Sequence, residues 1–253
     1  MILTPEQTTL ALRARNAAQS AHPGLWRGLT GAWVPALGYQ GDPLPDLSKR
    51  TGSLSFYNNP VWSRENGIPS IEFDSGLNHI SRTKPAFPSI PCTMVSRVKL
   101  KNITTEQTFV SVAANNSSVN YFFLGAIPSR GWEYQVRTSS SFDSSGFAVA
   151  NGGVIDTEWH TIAAVSEDTT THKLYADGVL IDTDVNFASP TTMNVTALGL
   201  LLRSAASAPL NGFQAAAYTY NRALTQDEII QFDDFLAPFR LRDDTALVTA
   251  AMF

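Results

Sequence analysis

The chain has 253 residues, 43% hydrophobic and 16% charged, with a formal net charge of −4 and a pI near 5.5. Such a length buries a sizeable core and suits one all-β sandwich of the larger kind. The charge balance offers no basic field for nucleic acid or an anionic membrane surface, and the apolar runs fall far short of the ~20 residues that cross a bilayer.

Residues 1–22 read as a helical arm. Thr4 suits the N-cap, Pro5 the first helical position, and Glu6 and Gln7 the first turn. Leu10, Ala14, Ala17, Ala18 and Ala21 form a thin apolar stripe. A helix with so little to bury is marginal alone, so it is expected to dock, either on its own sandwich or on another subunit. The opening MILTPEQTTL lacks a basic stretch followed by an apolar one, so no secretory signal is expected.

From Leu25 onward, short apolar runs alternate with turn residues. Gly41–Pro45 is loop, Asn58-Asn59-Pro60 and Asn66-Gly67 are turns, and Trp62 with Arg64 is expected in a loop between them. In Cys92–Lys101, Met94, Val98 and Leu100 point one way and Arg97, Lys99 and Lys101 the other, the pattern of a strand with one dry and one wet side. Cys92, the single cysteine, excludes an internal disulfide and reads as a small buried hydrophobe. Strands are expected at Phe109–Ala113, Asn120–Ala126, Trp132–Thr138, Phe147–Ala150, Ala197–Arg203 and Gly212–Tyr220. With no long helix between them, this is sandwich rhythm.

Two stretches are more specific. In Glu158–Ile181, Trp159–Val165 and His172–Ala176 alternate as strands, and Asp177-Gly178 supplies the two left-handed residues of a tight hairpin. In NRALTQDEI, Thr225 caps a helix, Glu228 completes a capping box and Leu224 staples to Ile229. Ile229, Ile230, Phe232, Phe235 and Leu236 are its expected buried face, and Pro238 its stop. The run WHTIAAV…KLYADG, this ending, and the opening GLTGAW followed by Asp46-Leu47-Ser48 resemble the laminin-G-like, concanavalin A-like jelly rolls across roughly residues 24–236. The resemblance implies an antiparallel β-sandwich over 23–238, with the helical arm 1–22 before it, one short C-terminal helix, and a tail 239–253 whose apolar TALVTAAMF could pair as a strand. The opening LWRGLTGAWVPALG also resembles bacteriophage structural proteins, where such jelly rolls decorate capsids or tails.

Chemistry is weakly marked. Laminarinases share the resembled fold and carry Glu-x-Asp-x-(x)-Glu on one strand face; Glu72-Phe73-Asp74 matches only its start, and the second glutamate is missing. There is no Gly-x-Ser-x-Gly elbow and no His-Glu-x-x-His. His160 and His172 are expected to face each other across one hairpin as a polar pair rather than a zinc site. Calcium, which many laminin-G-like domains bind, finds no dense acidic loop; Asp182 and Asp184 come nearest. A glycan platform needs an exposed aromatic beside amides and charged groups. The candidates are Trp62, Arg64, Asn120, Trp132 and Tyr134, with Trp33 and Trp159 assigned to the core. The resemblance to bacteriophage structural proteins, with an arm at each end, implies a non-enzymatic virion protein, capsid- or tail-associated, without cofactor. It would dock through its arms on other virion proteins and itself, as a homotrimer, and have no nucleic-acid or membrane partner. A carbohydrate-binding module is the alternative.

Overall fold

Alternating side chains of period two, interrupted by left-handed turn residues, dictate paired strands, and the computed structural model pairs them throughout. It describes residues 16–38, 40–139 and 146–240. The described strands are, in chain order, β1 (Leu29–Trp33), β2 (Ser55–Tyr57), β3 (Val61–Glu65), β4 (Ile68–Asp74), β5 (His79–Arg82), β6 (Cys92–Leu100), β7 (Gln107–Ala113) and β8 (Tyr121–Ile127). They continue with β9 (Gly131–Arg137), β10 (Phe147–Gly152), β11 (Trp159–Asp168), β12 (Thr171–Ala176), β13 (Val179–Asp184), β14 (Val195–Leu198) and β15 (Asn211–Tyr220). One sheet runs β13-β12-β11-β6-β15-β4-β3, with β1 also on β15; the other runs β10-β9-β8-β7-β14-β5-β2. The pairs are antiparallel. The fold is the expected antiparallel sandwich.

The core lies between the sheets and follows the alternation. Met94, Val98 and Leu100 of β6 meet Phe122, Leu124 and Ala126 of β8 and Trp132, Tyr134 and Val136 of β9. Phe87 packs edge-on against Phe122 at 5.1 Å. Each large side chain fully removed from water contributes roughly 1.5–3 kcal/mol, and about a dozen aromatics are buried here and on the flanking faces. Cys92 is buried among them.

The outer face of the first sheet, with Val95, Ala163, Val165, Tyr175, Tyr218 and Tyr220, is covered by Leu25, Trp26, Ile229, Phe232, Leu236 and Phe239. Polar tips tie the cover down: Tyr218 Oη donates to the Phe235 carbonyl at 2.7 Å, Tyr220 Oη to Leu25 at 2.9 Å, and Trp26 Nε1 to Pro238 at 2.7 Å. The capping box forms as expected, Glu228 N donating to Thr225 Oγ1 and Thr225 N to Glu228 Oε2.

Several expectations are corrected. Trp62 and Arg64 lie on a strand, β3, not in a loop. The C-terminal helix spans only Gln226–Ile230 and passes into a 3-10 turn, Gln231–Asp233, well before Pro238. Ile230 is half-exposed, because a helix this short presents one narrow face to the sheet. Phe239 is fully buried, so the body runs past 238. Of the expected strand 197–203 only Ala197 and Leu198 are in a strand, the end of β14, and the chain then crosses the outside of the second sheet. Of the N-terminal arm, residues 16–21 are helical, and Ala18 is buried against the sandwich's own cover. Leu10, Ala14 and the TALVTAAMF segment lie outside the described residues.

Candidate functional site

A binding site needs an opening, and the sheet faces offer little. The first sheet's outside is under its helical cover. On the second sheet, Leu201, Leu202 and Ala208 of the 199–210 crossing pack on Ala113, Tyr121, Phe123 and Val195. Ser111 Oγ fastens the crossing through the Leu200 carbonyl at 2.8 Å, and Arg203 lies over the Tyr121 ring at 5.7 Å. The described openings are therefore at edges and ends.

This placement separates the five glycan candidates. Trp132 and Tyr134 point into the inter-sheet core, 2% and 1% exposed, because even-numbered positions of β9 face inward. Neither presents a face to solvent, which removes them from a platform. Tyr134 Oη instead meets Ser166 Oγ at 2.7 Å, and Ser166 Oγ meets His172 Nδ1 at 2.8 Å. This buried chain has a serine–histidine pair, but both residues are 0% exposed, so no substrate reaches it. Burial lowers the His172 pKa and keeps the ring neutral. Asn120 holds a left-handed turn (φ 61°) at the head of β8, its carbonyl accepting from Ala114 N at 2.9 Å.

Trp62 and Arg64 remain, and they share an opening. Asn66 and Gly67, both at positive φ, turn β3 into β4. The register sets Trp62 opposite Ile71 and Arg64 opposite Pro69. Ile71 belongs to the core, so Trp62 and Arg64 point the same way, at the sandwich's open edge. Trp62 half-buries against Phe56, ring centroids 5.7 Å apart, and its Nε1 donates to the Gly41 carbonyl at 3.2 Å. Arg64 is exposed, with Nη1 donating to the Gly67 carbonyl at 2.8 Å. Gly38 and Gln40 approach from the loop after the 3-10 turn Pro35–Leu37. The resulting hollow of about 280 Å³ is lined by Gly38, Gln40, Trp62, Ser63, Arg64 and Pro69. It combines an aromatic surface with a guanidinium, an amide and a hydroxyl, groups that stack on a ring and bond its hydroxyls.

Sequence reasoning missed a second hollow of about 390 Å³, lined by Ile103, Pro128–Gly131 and Gly153–Ile155. It gathers three loops distant in sequence. Beside it, Arg130 Nε lies 2.9 Å from Glu133 Oε2, an ion pair without hydrogen-bond alignment. Glu133 is fully buried and accepts from Gln135 Nε2, and Tyr121 Oη in turn donates to Gln135 Oε1 at 2.9 Å. Desolvation pushes the Glu133 carboxyl up to about 7.

His160 and His172 do not pair. His172 sits opposite Ser166, whereas His160, near the other end of β11, is held between Asp177 (Nδ1 to Oδ2, 2.6 Å) and Asp156 (Nε2 to Oδ1, 2.9 Å). Carboxylates on both ring nitrogens require the imidazolium, and the Asp177 bond raises the His160 pKa. Trp159, expected in the core, is half-buried under the Arg97 guanidinium, 5.9 Å from its ring. Of the other carboxylates, Glu72 pairs with Lys101 and Asp74 accepts from Asn78 and Gly76. Asp182 accepts from Asn151 N and Asp184 from Asn186 N. Among the described residues no group of three or more His, Cys, Asp or Glu is placed to hold a metal ion, and no helix is long and apolar enough to cross a membrane.

The laminin-G profile of the concanavalin A-like lectin/glucanases superfamily matches residues 74–230. No curated protein sequence matches the chain. Among solved structures, domain 4 of an extracellular arabinanase from Geobacillus stearothermophilus, determined with arabinotriose, superposes with a TM-score of 0.59 at 16% identity, covering 81% of this chain and 98% of that domain. The binding domain of Paraclostridial Mosquitocidal Protein 1 superposes at 0.60 and 14% identity, covering 83% of this chain and 53% of its own. Trypanosoma rangeli sialidase superposes at 0.58 and 13% identity, covering 82% and 32%. At these identities the likeness is one of fold.

Proposed function

The chain belongs to the concanavalin A-like lectin/glucanase superfamily, and from that premise we propose that it is a non-catalytic domain that binds a saccharide at the Trp62–Arg64 edge. The observation that carries the reading is the hollow itself, where a half-exposed indole shares one face of β3 with a guanidinium beside the Gln40 amide. A sugar presents an apolar C–H face and a rim of hydroxyls, and the indole and the polar groups match the two. Support comes from the arabinanase domain seen with arabinotriose and from the toxin's binding domain. A hollow near the lower limit of small-molecule sites, ~300 Å³, suits one terminal ring of a glycan. An affinity on the order of 1 mM, about −4 kcal/mol, is expected of so small a contact. The non-catalytic half of the reading draws on Glu72, Asp74 and Glu133, whose carboxylates are spent on Lys101, on Asn78 and on Gln135 with Arg130.

A glycan array on the whole chain tests this. Trp62→Ala is expected to abolish the hits while leaving the melting temperature within a few degrees, since the indole is only half-buried. Hits unchanged by Trp62→Ala contradict the site.

A second reading, a virion component on the capsid or tail and homotrimeric, has one observation in its favour. Trp26 and Phe239 pack edge to face at 5.4 Å, so the described segments next to the two arms meet at one spot that a neighbouring protein could hold. In that reading the protein resides in the virion and the glycan site faces outward. Light scattering that returns a trimer for the whole chain and a monomer for residues 16–240 supports it; a monomer in both cases counts against it.

A further inference from the structure

We propose that the Trp62 hollow selects an acidic saccharide, one carrying a carboxylate or a sulfate, with Arg64 as the group that reads the anion. The inference rests on the glycan-binding reading above and deepens it. Arg64 is the one charged side chain among the six lining residues. Its Nη1 bond to the Gly67 carbonyl orients the guanidinium on the same face as the indole. A guanidinium has five N–H donors in a planar fork, so that bond leaves an edge for bidentate recognition of an anion.

The neighbouring carboxylates do not neutralise it. Glu65 is drawn to Lys99 at 3.0 Å, and Glu72 is paired with Lys101. Both lie on the opposite side of the β3–β4 hairpin, because each is one residue out of step with Arg64 or with Ile71. Among the described residues Arg64 is in no ion pair. Arg64 is thus the one charge lining the hollow, on a chain whose net charge is −4. A neutral sugar would fill the hollow and leave the free edge of that guanidinium without an anion, whereas an anionic sugar adds a charge-assisted bond beside the stacked ring.

The test is titration calorimetry of the whole chain with three oligosaccharides of equal length: oligogalacturonate, a sulfated galactan oligomer and a neutral galactan oligomer. At low salt, at least one of the acidic oligomers is expected to bind about tenfold or more tightly than the neutral one, the worth of one charge-assisted hydrogen bond, and raised salt should shrink the gap. Whether the carboxylate or the sulfate arm binds tells the source of the anion, and either supports the proposal. Arg64→Gln should erase the preference, the acidic oligomer losing far more affinity than the neutral one. Arg64→Lys should restore only part of it, because an ammonium lacks the fork. Equal binding of acidic and neutral oligomers, or a preference that survives Arg64→Gln, overturns the proposal but leaves the glycan site standing. If no oligomer binds, or Trp62→Ala changes nothing, the glycan reading falls and this proposal falls with it.

Discussion

Asp46 shows what one carboxylate does for this fold. Its Oδ1 accepts from Ala32 N, Ser48 N and Ser48 Oγ, and its Oδ2 from Arg50 N, Thr51 N and Gly52 N, at 2.6–3.1 Å. The side chain thereby substitutes for a stretch of sheet partner and fixes the loop to β1. Asp46→Ala would strand these donors, several of them buried, so a loss of about 3 kcal/mol or more is expected in denaturant unfolding. The motif Asp-Leu-Ser was legible as a family feature, but the six acceptances were not, since they depend on how the loop closes. Two other groups make stability depend on pH. Glu133 is raised from 4.5 to about 7, so its contribution is fully present below pH 4.5 and is lost as pH climbs through 7, on the order of 3 kcal/mol. His160 is raised above 6.5, so its contribution is complete below pH 6.5 and fades above it. Melting curves should therefore flatten between pH 4.5 and 7 in Glu133→Gln, and above pH 6.5 in His160→Gln. An unchanged slope in either variant contradicts the assignment.

At the scale of elements, local rules read well wherever one strand and one turn decide the outcome. Asp177 and Gly178 take φ of 48° and 78°, and the hairpin forms where the dipeptide said it would. The ending was equally plain, from Thr225 to the staple. What local rules did not show is its second task. Arg222 forks onto Glu228 with bonds of 2.7 and 2.8 Å, and also donates to the carbonyls of Arg27 and Gly24, 195 and 198 positions earlier. Held by the capping glutamate, Arg222 thus ties the segment before β1 to the segment after β15. Glu228→Gln keeps the shape but loses the charge and is expected to cost about 1–3 kcal/mol, read as a lower urea midpoint at an unchanged m-value. β3 was missed because Trp62–Glu65 alternates poorly and lies between two turns. The 199–210 crossing was missed because LGLLLRS continues a strand pattern that the Gly199 turn, at φ 81°, interrupts.

At the scale of the molecule, the two sheets bury one core and cover their own outer faces, which leaves edges and ends for recognition. That is why the sandwich was legible from alternation and the hollow was not. Trp62 and Arg64 could be named from the chain, yet Gly38, Gln40 and Pro69 join them only through the packing of separate segments. Trp132 and Tyr134 looked equally suited by composition, and it is their parity on β9 that turns them inward. The chain's five tryptophans make this distinction measurable. In 1H–15N spectra of the whole protein titrated with a binding oligosaccharide, the Trp62 indole resonance is expected to move while those of the buried Trp33 and Trp132 stay fixed. A saturable titration that leaves Trp62 unmoved, or that moves Trp159 instead, would place the site elsewhere and contradict binding at the Trp62–Arg64 edge.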